Sequence, residues 1–186
     1  MNPSNPRRLY LRVTLKLMGA GLLLLVMYAM ASGFFGNPGS DSASSMHIDL
    51  AELPPGGLHR VEWRGRELMV LRRSPAMDAA DAAHEPRLYD PASRWSVQPR
   101  DARNPGRTLV PGYFIAYAQG TDLSCPLDLV PPDEAAPEGW GGGFVDRCRG
   151  SRYDFAGRVH DGQPARRNLK VPVYRVDGTR IVLERR

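Results

Sequence analysis

The amino-acid sequence predicts an all-β domain, built as an antiparallel sandwich or barrel, with one transmembrane helix before it. Nineteen glycines and 17 prolines in 186 residues favour short strands separated by turns. Several short apolar runs are bounded by turn residues, which is the pattern of antiparallel strands. A single long apolar segment, Leu17–Phe35, carries no charged residue and predicts the helix.

The excess of positive charge is located at the N-terminus. Of the formal net charge of +5, four units come from Arg7, Arg8, Arg12 and Lys16, and residues 1–35 contain no acidic residue. The other 151 residues carry 21 Lys and Arg against 20 Asp and Glu. Since a nearly neutral domain has no extended positive field, we expect no nucleic-acid partner.

The apolar segment Leu17–Phe35 has the length of a membrane span. Its 19 residues at about 1.5 Å each cover roughly 28 Å, close to the ~30 Å hydrocarbon core of a bilayer. Four cations precede the segment and the next one is Arg60, so the positive-inside rule places the N-terminus in the cytoplasm and residues 36–186 in the periplasm. We therefore expect a single-pass protein of a bacterial inner membrane.

Two other interpretations of the N-terminus stay open. A cleaved signal peptide has the same order of basic and apolar regions, but Ala29-Met30-Ala31 is a weak cleavage site and the apolar run is longer than usual. Arg7-Arg8 resembles a twin-arginine export signal, although Pro6 stands where a small hydroxyl residue is usual. The sequence favours an uncleaved anchor and does not decide the export route.

The chain divides into three predicted parts. Residues 1–35 form the cytoplasmic N-terminus and the transmembrane anchor. Residues 36–46 are a flexible tether, because small polar residues with two glycines cannot bury apolar surface. Residues 47–186 form the soluble domain.

Short strands with tight turns between them are predicted along the soluble domain. Arg64-Gly65-Arg66 and Asp177-Gly178 are typical of hairpin connections, and a further turn is expected around Ala156-Gly157. The predicted strands are Ile48–Leu50, Leu58–Trp63, Glu67–Arg72, Tyr113–Tyr117, Val173–Val176 and Thr179–Leu183.

One short helix and one long loop complete the predicted domain. Ser74 is a good N-cap and Pro75 a good first helical residue, so the alanine-rich stretch that follows predicts a helix to Ala83. Residues 84–111 are polar and proline-rich, without a helical or strand period, and predict mostly loop.

The chain has only two cysteines, Cys125 and Cys148. Both lie outside the inner membrane face if the predicted topology holds, and that compartment is oxidising. A single disulfide is therefore favoured, with two buried free thiols as the alternative.

The segments around the cysteines carry a distinctive pattern. Residues 120–127 read G-T-D-L-S-C-P-L and residues 146–159 read D-R-C-R-G-S-R-Y-D-F-A-G-R-V. They resemble the two cluster-binding loops of Rieske proteins, whose patterns are C-T-H-L-G-C and C-P-C-H-G-S-x-Y-D-x-x-G-x-V. With the proline loop at 162–165, the segment 168–174 and the hairpin at 61–65, the whole chain resembles the Rieske subunit of a bacterial ubiquinol–cytochrome c oxidoreductase. The resemblance implies a Rieske-like sandwich or barrel.

The resemblance also shows where this chain departs from the family. A Rieske centre has two Cys thiolates on one iron and two His nitrogens on the other. By position, the Cys ligands fall on Gly120 and Asp146, and the His ligands on Asp122 and Arg149. Gly offers no donor atom, Arg is a permanent cation, and carboxylates are hard ligands. We therefore expect no cofactor, no metal ligand and no catalytic residue in this chain.

The family pattern assigns other roles to the residues that are retained. Cys125 and Cys148 match the pair that forms the disulfide between the two loops of the family. The four histidines are scattered, none at metal-ligand spacing with another donor, and are expected to be ordinary surface or packing residues: His47, His59, His84 and His160.

A salt bridge is expected to fill the vacated cluster cavity. Arg149 is predicted to pair with Asp122, Asp146 or both, in preference to a hard cation bound by the two carboxylates. Ser151 and Tyr153 donate hydrogen bonds to the cluster and a ligand sulfur in the family. In this chain they are expected to bond to these carboxylates or to water.

Two functions from different classes follow. The favoured one is a membrane-tethered Rieske-like subunit that has lost its 2Fe-2S cluster and serves as a structural or regulatory partner of a respiratory cytochrome bc-type complex. Its partners would be cytochrome b, a cytochrome c-type subunit or a genuine Rieske subunit. The alternative is an electron-transferring Rieske subunit of ubiquinol–cytochrome c reductase with a reorganised metal site; a relic without a partner is less favoured. The motifs of other enzyme classes are missing, so enzymatic activity of the chain by itself is not favoured.

Overall fold

The computed structural model describes residues 6–34, 45–132 and 139–184. Two compact units are present, one within residues 1–43 and one within residues 44–186. The predicted tether lies outside the described residues as far as residue 44, and the first strand begins at Ser45.

The first unit is a single helix, α1 (Pro6–Phe34). Its segment Arg7–Ser32 is long and apolar enough to cross a membrane, and all its described side chains are exposed. The helix begins well before the predicted apolar span at Leu17, because the intervening basic and apolar residues are good helix formers. The predicted apolar helix is therefore present in the described residues.

The second unit, called the head domain below, is mostly antiparallel β-structure, which confirms the predicted fold class. Its described residues form three three-stranded sheets, with strand orders β1-β9-β8, β2-β3-β4 and β5-β6-β7. One α-helix, α2 (Pro75–His84), follows β3. The strands are β1 (Ser45–Asp49), β2 (Leu58–Trp63), β3 (Arg66–Arg72), β4 (Tyr113–Tyr117), β5 (Leu127–Val130), β6 (Gly143–Asp146), β7 (Arg152–Tyr153), β8 (Arg175–Asp177) and β9 (Arg180–Glu184).

Local sequence signals account for the turn and the helix that connect the strands of the second sheet. Arg64 and Gly65 both have positive φ, 55° and 69°, and the pairing of Trp63 with Arg66 closes a two-residue hairpin turn. The Ser74 hydroxyl accepts a hydrogen bond from the Met77 N–H at 3.3 Å and caps α2 as predicted.

The core of the head domain joins the second and third sheets. The rings of Phe114 on β4 and Phe144 on β6 lie 6.0 Å apart between centroids. Leu68, Met69 and Ile115 of the second sheet are also fully buried. This packing holds the small third sheet, whose strands carry the two loops of interest.

The segment predicted as loop, residues 84–111, contains two short 3-10 turns, Glu85–Arg87 and Arg100–Ala102. It also carries Arg107, which is completely buried. The guanidinium donates hydrogen bonds to the carbonyl oxygens of Ala156, Gly157 and Leu169 at 3.1, 2.9 and 2.6 Å. This long loop is therefore fixed to the chain that follows β7.

Candidate functional site

Two loops leave the same end of the third sheet. The first connects β4 to β5 and the second connects β6 to β7. Leu127 at the start of β5 pairs with Asp146 at the end of β6, which places the loops side by side. The Arg147 N–H donates to the Pro126 carbonyl at 3.1 Å and ties the second loop to the first.

A disulfide joins the loops covalently. Cys125 and Cys148 are bonded, with their Cα atoms 6.0 Å apart. Cys125 is buried and Cys148 is exposed. The disulfide predicted from the family pattern is confirmed, and the alternative of two free thiols does not hold.

Asp146 shapes the second loop from inside. It is 2% exposed, and its Oδ1 accepts hydrogen bonds from the N–H groups of Cys148 at 2.7 Å and Arg149 at 3.0 Å. Its Oδ2 has no hydrogen-bond partner in the described structure and lies against Gly120, where a Cβ atom would overlap it. The carboxylate therefore stabilises the turn of the second loop, and it leaves no room for a side chain at residue 120.

Arg149 pairs with Asp122 across the two loops. The Arg149 Nη1 donates to the Asp122 Oδ2 at 2.7 Å, and the two side chains are 50% and 25% exposed. The predicted contact is confirmed for Asp122. Asp146 does not pair with the Arg149 guanidinium and only accepts a hydrogen bond from the Arg149 backbone N–H. The expectation that this pair fills a cavity is wrong, because the loop tips project the pair toward solvent.

An exposed ion pair of this kind contributes little to stability. We expect Arg149→Ala to lower the free energy of unfolding by less than ~1 kcal/mol, because water screens the pair and both side chains are ordered to form it. Urea unfolding of the full chain in mild detergent measures the change. Arg147→Ala is the matched control, since Arg147 forms a comparably exposed pair with Asp128. A loss above about 2 kcal/mol for Arg149→Ala alone would contradict the exposed geometry.

Ser151 and Tyr153 do not bond to the carboxylates in the described structure, which corrects that part of the prediction. The Ser151 hydroxyl accepts from the Ala165 N–H at 3.1 Å. The Tyr153 hydroxyl accepts from the Thr121 N–H and contacts the Thr121 Oγ1, each at 3.2 Å, and that Oγ1 donates to the Arg167 carbonyl at 2.7 Å. Burial raises the pKa of Tyr153, so it stays a neutral hydrogen-bonding phenol.

Thr121 is a site residue that the sequence reasoning missed. It connects the first loop both to Tyr153 of β7 and to the segment around Arg167. Its place between two substituted ligand positions, Gly120 and Asp122, was the available signal. The role of the Thr121 hydroxyl, which links the first loop to Tyr153 and to the Arg167 carbonyl, leaves no periodicity or spacing in the sequence.

The histidines lie apart from the loop tips. His84 donates through Nδ1 to the Ala80 carbonyl at 2.9 Å, and burial lowers the pKa of His160. In the described ranges, one group of three His, Cys, Asp or Glu residues has its donor atoms within 4.8 Å of one another, namely Cys125, Asp146 and Cys148. Its two sulfur atoms are bonded to each other.

Behind the second loop lies a buried acidic residue, Asp81 of α2. Its Oδ1 accepts from the Phe155 N–H at 2.9 Å, and the Asp154–Arg158 pair lies close by, with Oδ2 and Nε 2.6 Å apart. Burial, followed by the charge of Asp154, raises the pKa of Asp81 to about 8. Asp81 therefore anchors the segment after β7 to α2, and its Oδ2 lies 3.7 Å from the Arg73 Nη1.

The raised pKa of Asp81 predicts a stability that depends on pH. The folded state keeps its proton up to about pH 8, whereas the unfolded state loses it near the ordinary value of 3.8. The free energy of unfolding should therefore fall as pH rises from about 4 to 8 and level off above that.

The substitution Asp81→Asn tests this pH dependence. It keeps an oxygen for the Phe155 N–H and removes the titrating group, so the stability of the variant should fall less steeply than that of the wild type between pH 5 and pH 8. Asp161→Asn is the control, because Asp161 is exposed and takes no part in the ion pairs that the described residues form. Urea midpoints measured at several pH values would contradict the assignment if the Asp81→Asn variant and the wild type had equal slopes.

The chain is similar to curated proteins over most of its length. It is 38% identical over 176 residues to the ubiquinol–cytochrome c reductase iron–sulfur subunit of Allochromatium vinosum, which covers 90% of this chain and 82% of the relative. It is 35% identical over 143 residues to the protein of the same name from Blastochloris viridis, covering 75% of this chain and 70% of the relative. No family model matches the sequence.

A solved structure titled hyperthermophilic respiratory Complex III is also similar. The match covers 91% of this chain and 98% of the other, with a TM-score of 0.47 and 16% sequence identity.

The relatives contradict the prediction that this chain has no cofactor. Both bacterial relatives are named iron–sulfur subunits, so the prediction is wrong. The prediction considered only the four residues at the ligand positions and drew from them a conclusion about the cofactor of the whole subunit.

The four residues at the ligand positions do not fit a cluster held by thiolates and imidazoles. Gly120 has no donor, and the space beside it is taken by the Asp146 carboxylate. Asp122 is engaged by Arg149, which is a cation. Asp146 uses one oxygen to hold the backbone of its own loop. We therefore derive no electron-transfer step through these positions.

Proposed function

The chain belongs to the Rieske iron–sulfur subunit family of ubiquinol–cytochrome c reductases, and from this premise we propose that it works as a membrane-anchored subunit of a cytochrome bc complex. The observation that carries the proposal is the similarity to the two bacterial relatives, which extends over most of the chain and over most of each relative. The apolar helix α1 provides the anchor.

The role we propose within the complex is structural or regulatory. The two loops are built to keep a fixed shape, because a disulfide, the Asp146 turn and the Tyr153–Thr121 contact all hold them together. The pair of Arg149 and Asp122 presents both a positive and a negative group at the exposed tips. A rigid, polar surface of this kind is suited to specific contact with another subunit.

The partners we propose are cytochrome b, a cytochrome c-type subunit or a genuine Rieske subunit of the same complex. The relatives are named as subunits of ubiquinol–cytochrome c reductase, and related mitochondrial proteins are named as Rieske subunits of the cytochrome b-c1 complex. A head domain that is similar to theirs in sequence over most of its length would bind the same classes of subunit.

We further propose that the head domain lies in the periplasm of a bacterial cell, with the N-terminus in the cytoplasm. The four cations of the N-terminal segment, which precede the apolar residues of α1, support this orientation. Protease added to intact spheroplasts should degrade the head domain. Protection in spheroplasts, with digestion only after lysis, would contradict the orientation.

Deletion of the gene tests the structural role. The amount of assembled cytochrome bc complex in membranes, seen on native gels and by haem absorbance, should fall, and expression of the full chain should restore it. A chain with Arg149→Ala should restore it less well if the exposed pair contacts a partner subunit, whereas Arg175→Ala, which removes a pair with Glu184 away from the loops, should restore it fully. An unchanged amount of complex in the deletion strain would contradict the proposal.

A further inference from the structure

A concave pocket of about 270 Å³ lies beside the first loop, and three cationic residues line it. The cations are Arg66 at the start of β3, Arg167 and Lys170. The Gln119 amide and the Ser124 hydroxyl add neutral polar groups to the lining. None of the described residues that line this pocket, called the basic pocket below, is acidic.

The positions of the three cations are fixed by contacts of the fold. Arg66 stands two residues before Leu68, which pairs with Tyr117 of β4, and its guanidinium lies 3.6 Å from the centroid of the Tyr117 ring. The Lys170 carbonyl accepts from the Tyr117 N–H at 3.0 Å, and the Lys170 ammonium lies 5.6 Å from the same ring. The Tyr117 ring thus holds two of the three cations together.

The third cation is attached to the first loop. The Arg167 carbonyl accepts the hydrogen bond of the Thr121 Oγ1 at 2.7 Å, and the Tyr153 hydroxyl fixes Thr121 from the other side at 3.2 Å. The segment between Arg167 and Lys170 is therefore attached at both ends, to the loop and to β4. The backbone that carries the cations is held in place before any ligand arrives.

The charge of the pocket is not neutralised within the described structure. None of Arg66, Arg167 and Lys170 takes part in the ion pairs that its described residues form. Asp122 of the neighbouring loop is engaged by Arg149, and Asp146 is buried behind Gly120. Three like charges on residues that line one pocket repel one another unless an anion lies between them.

We propose that the basic pocket binds a small phosphate-bearing anion. Two guanidinium groups and one ammonium match the charge and the several oxygen acceptors of phosphate, since arginine bonds phosphate through two parallel N–H groups. A volume of about 270 Å³ accommodates more than a single phosphate ion, so a diphosphate or a phosphate ester fits it better. The source of the phosphate is either a free metabolite or the headgroup of an anionic lipid.

Calorimetric titration of the full chain in a nonionic detergent tests the pocket at low ionic strength. Pyrophosphate and short-chain dihexanoylphosphatidylglycerol are titrated separately, with dihexanoylphosphatidylcholine as the uncharged lipid reference. Binding of pyrophosphate assigns the pocket to a soluble anion, and binding of the phosphatidylglycerol alone assigns it to a lipid headgroup. Either result supports the proposal, and binding of neither probe overturns it.

Variants show whether Arg167 and Lys170 carry the binding. Lys170→Gln and Arg167→Gln should each lower the affinity for the probe that binds at least about fivefold, because each removes one exposed cation of the pocket. Arg166→Gln removes the same charge one position away, where the guanidinium lies over the Tyr89 ring, and should change the affinity by less than about twofold. Equal losses in all three variants would overturn the proposal, because they would show a general charge effect.

Discussion

Replacement of Arg107 by methionine is expected to lower the free energy of unfolding of the head domain by about 3–5 kcal/mol. The guanidinium is fully buried and donates to three carbonyl oxygens as well as to the Gln98 side chain at 2.9 Å. Methionine fills a similar space but leaves the buried carbonyl oxygens of Ala156 and Leu169 without a donor, whereas the Gly157 carbonyl keeps the Leu169 N–H at 2.8 Å. The loss should be visible as a lower urea midpoint for the full chain in mild detergent.

Burial lowers the pKa of Arg107 to about 10, so the side chain stays charged at neutral pH. Its bonds to carbonyl oxygens are therefore charge-assisted, which is the stronger class of hydrogen bond. Arg103→Met is the matched control, since Arg103 lies in the same loop and is exposed. It should change the stability by less than about 0.5 kcal/mol. Equal stability of the Arg107→Met variant and the wild type would show that the long loop is not held by this residue.

Removal of the disulfide is expected to have the second largest effect. Cys148→Ser should lower the free energy of unfolding by about 2–4 kcal/mol, because the unfolded chain gains the freedom that the cross-link removes. The two cysteines are 23 residues apart in sequence, a loop of moderate length for this effect. Fluorescence of the three tryptophans during urea unfolding measures the change.

Two controls isolate the contribution of the cross-link. Cys125→Ser should destabilise the chain by the same amount as Cys148→Ser, and a dithiol reductant should bring the wild type to the stability of the variants. Reductant should leave both variants unchanged, because each of them lacks the disulfide. Variants as stable as the oxidised wild type would mean that the hydrogen bonds between the loops alone hold them together.

Features with local causes could be predicted from the sequence. The turn at Arg64-Gly65 and the cap at Ser74 depend on residues only a few positions apart, and the structure has both. The disulfide followed from the family pattern around its cysteines. The apolar N-terminal helix needed only length and composition. In each case, the sequence pattern that indicates the feature lies within a short segment or a known motif.

Features that depend on distant contacts could not be predicted. Arg107 bonds to carbonyl groups 49 to 62 residues away in the chain, and a polar loop gives no sign that one of its arginines is buried. The strands of the third sheet are two to four residues long, too short for a clear alternation. The exposed position of the Arg149–Asp122 pair depends on how both loops project, which spacing alone does not determine.

The ligand positions show the limit of motif reasoning in another way. The sequence located Gly120, Asp122, Asp146 and Arg149 in the two loops, and the structure brings them together there. The sequence did not predict that Asp146 binds the backbone of its own loop while Asp122 forms the ion pair with Arg149. The names of the relatives then contradicted the step from these four positions to a subunit without a cofactor.

Purification of the tagged full chain from membranes of its own host, in a mild detergent, tests the central claim most directly. Mass spectrometry and the visible haem spectrum of the purified material identify the partners. The account predicts cytochrome b and a cytochrome c-type subunit in amounts comparable to the chain, and their absence when an unrelated tagged single-pass protein is purified in parallel. Recovery of the chain without any haem protein would contradict its place in a cytochrome bc complex.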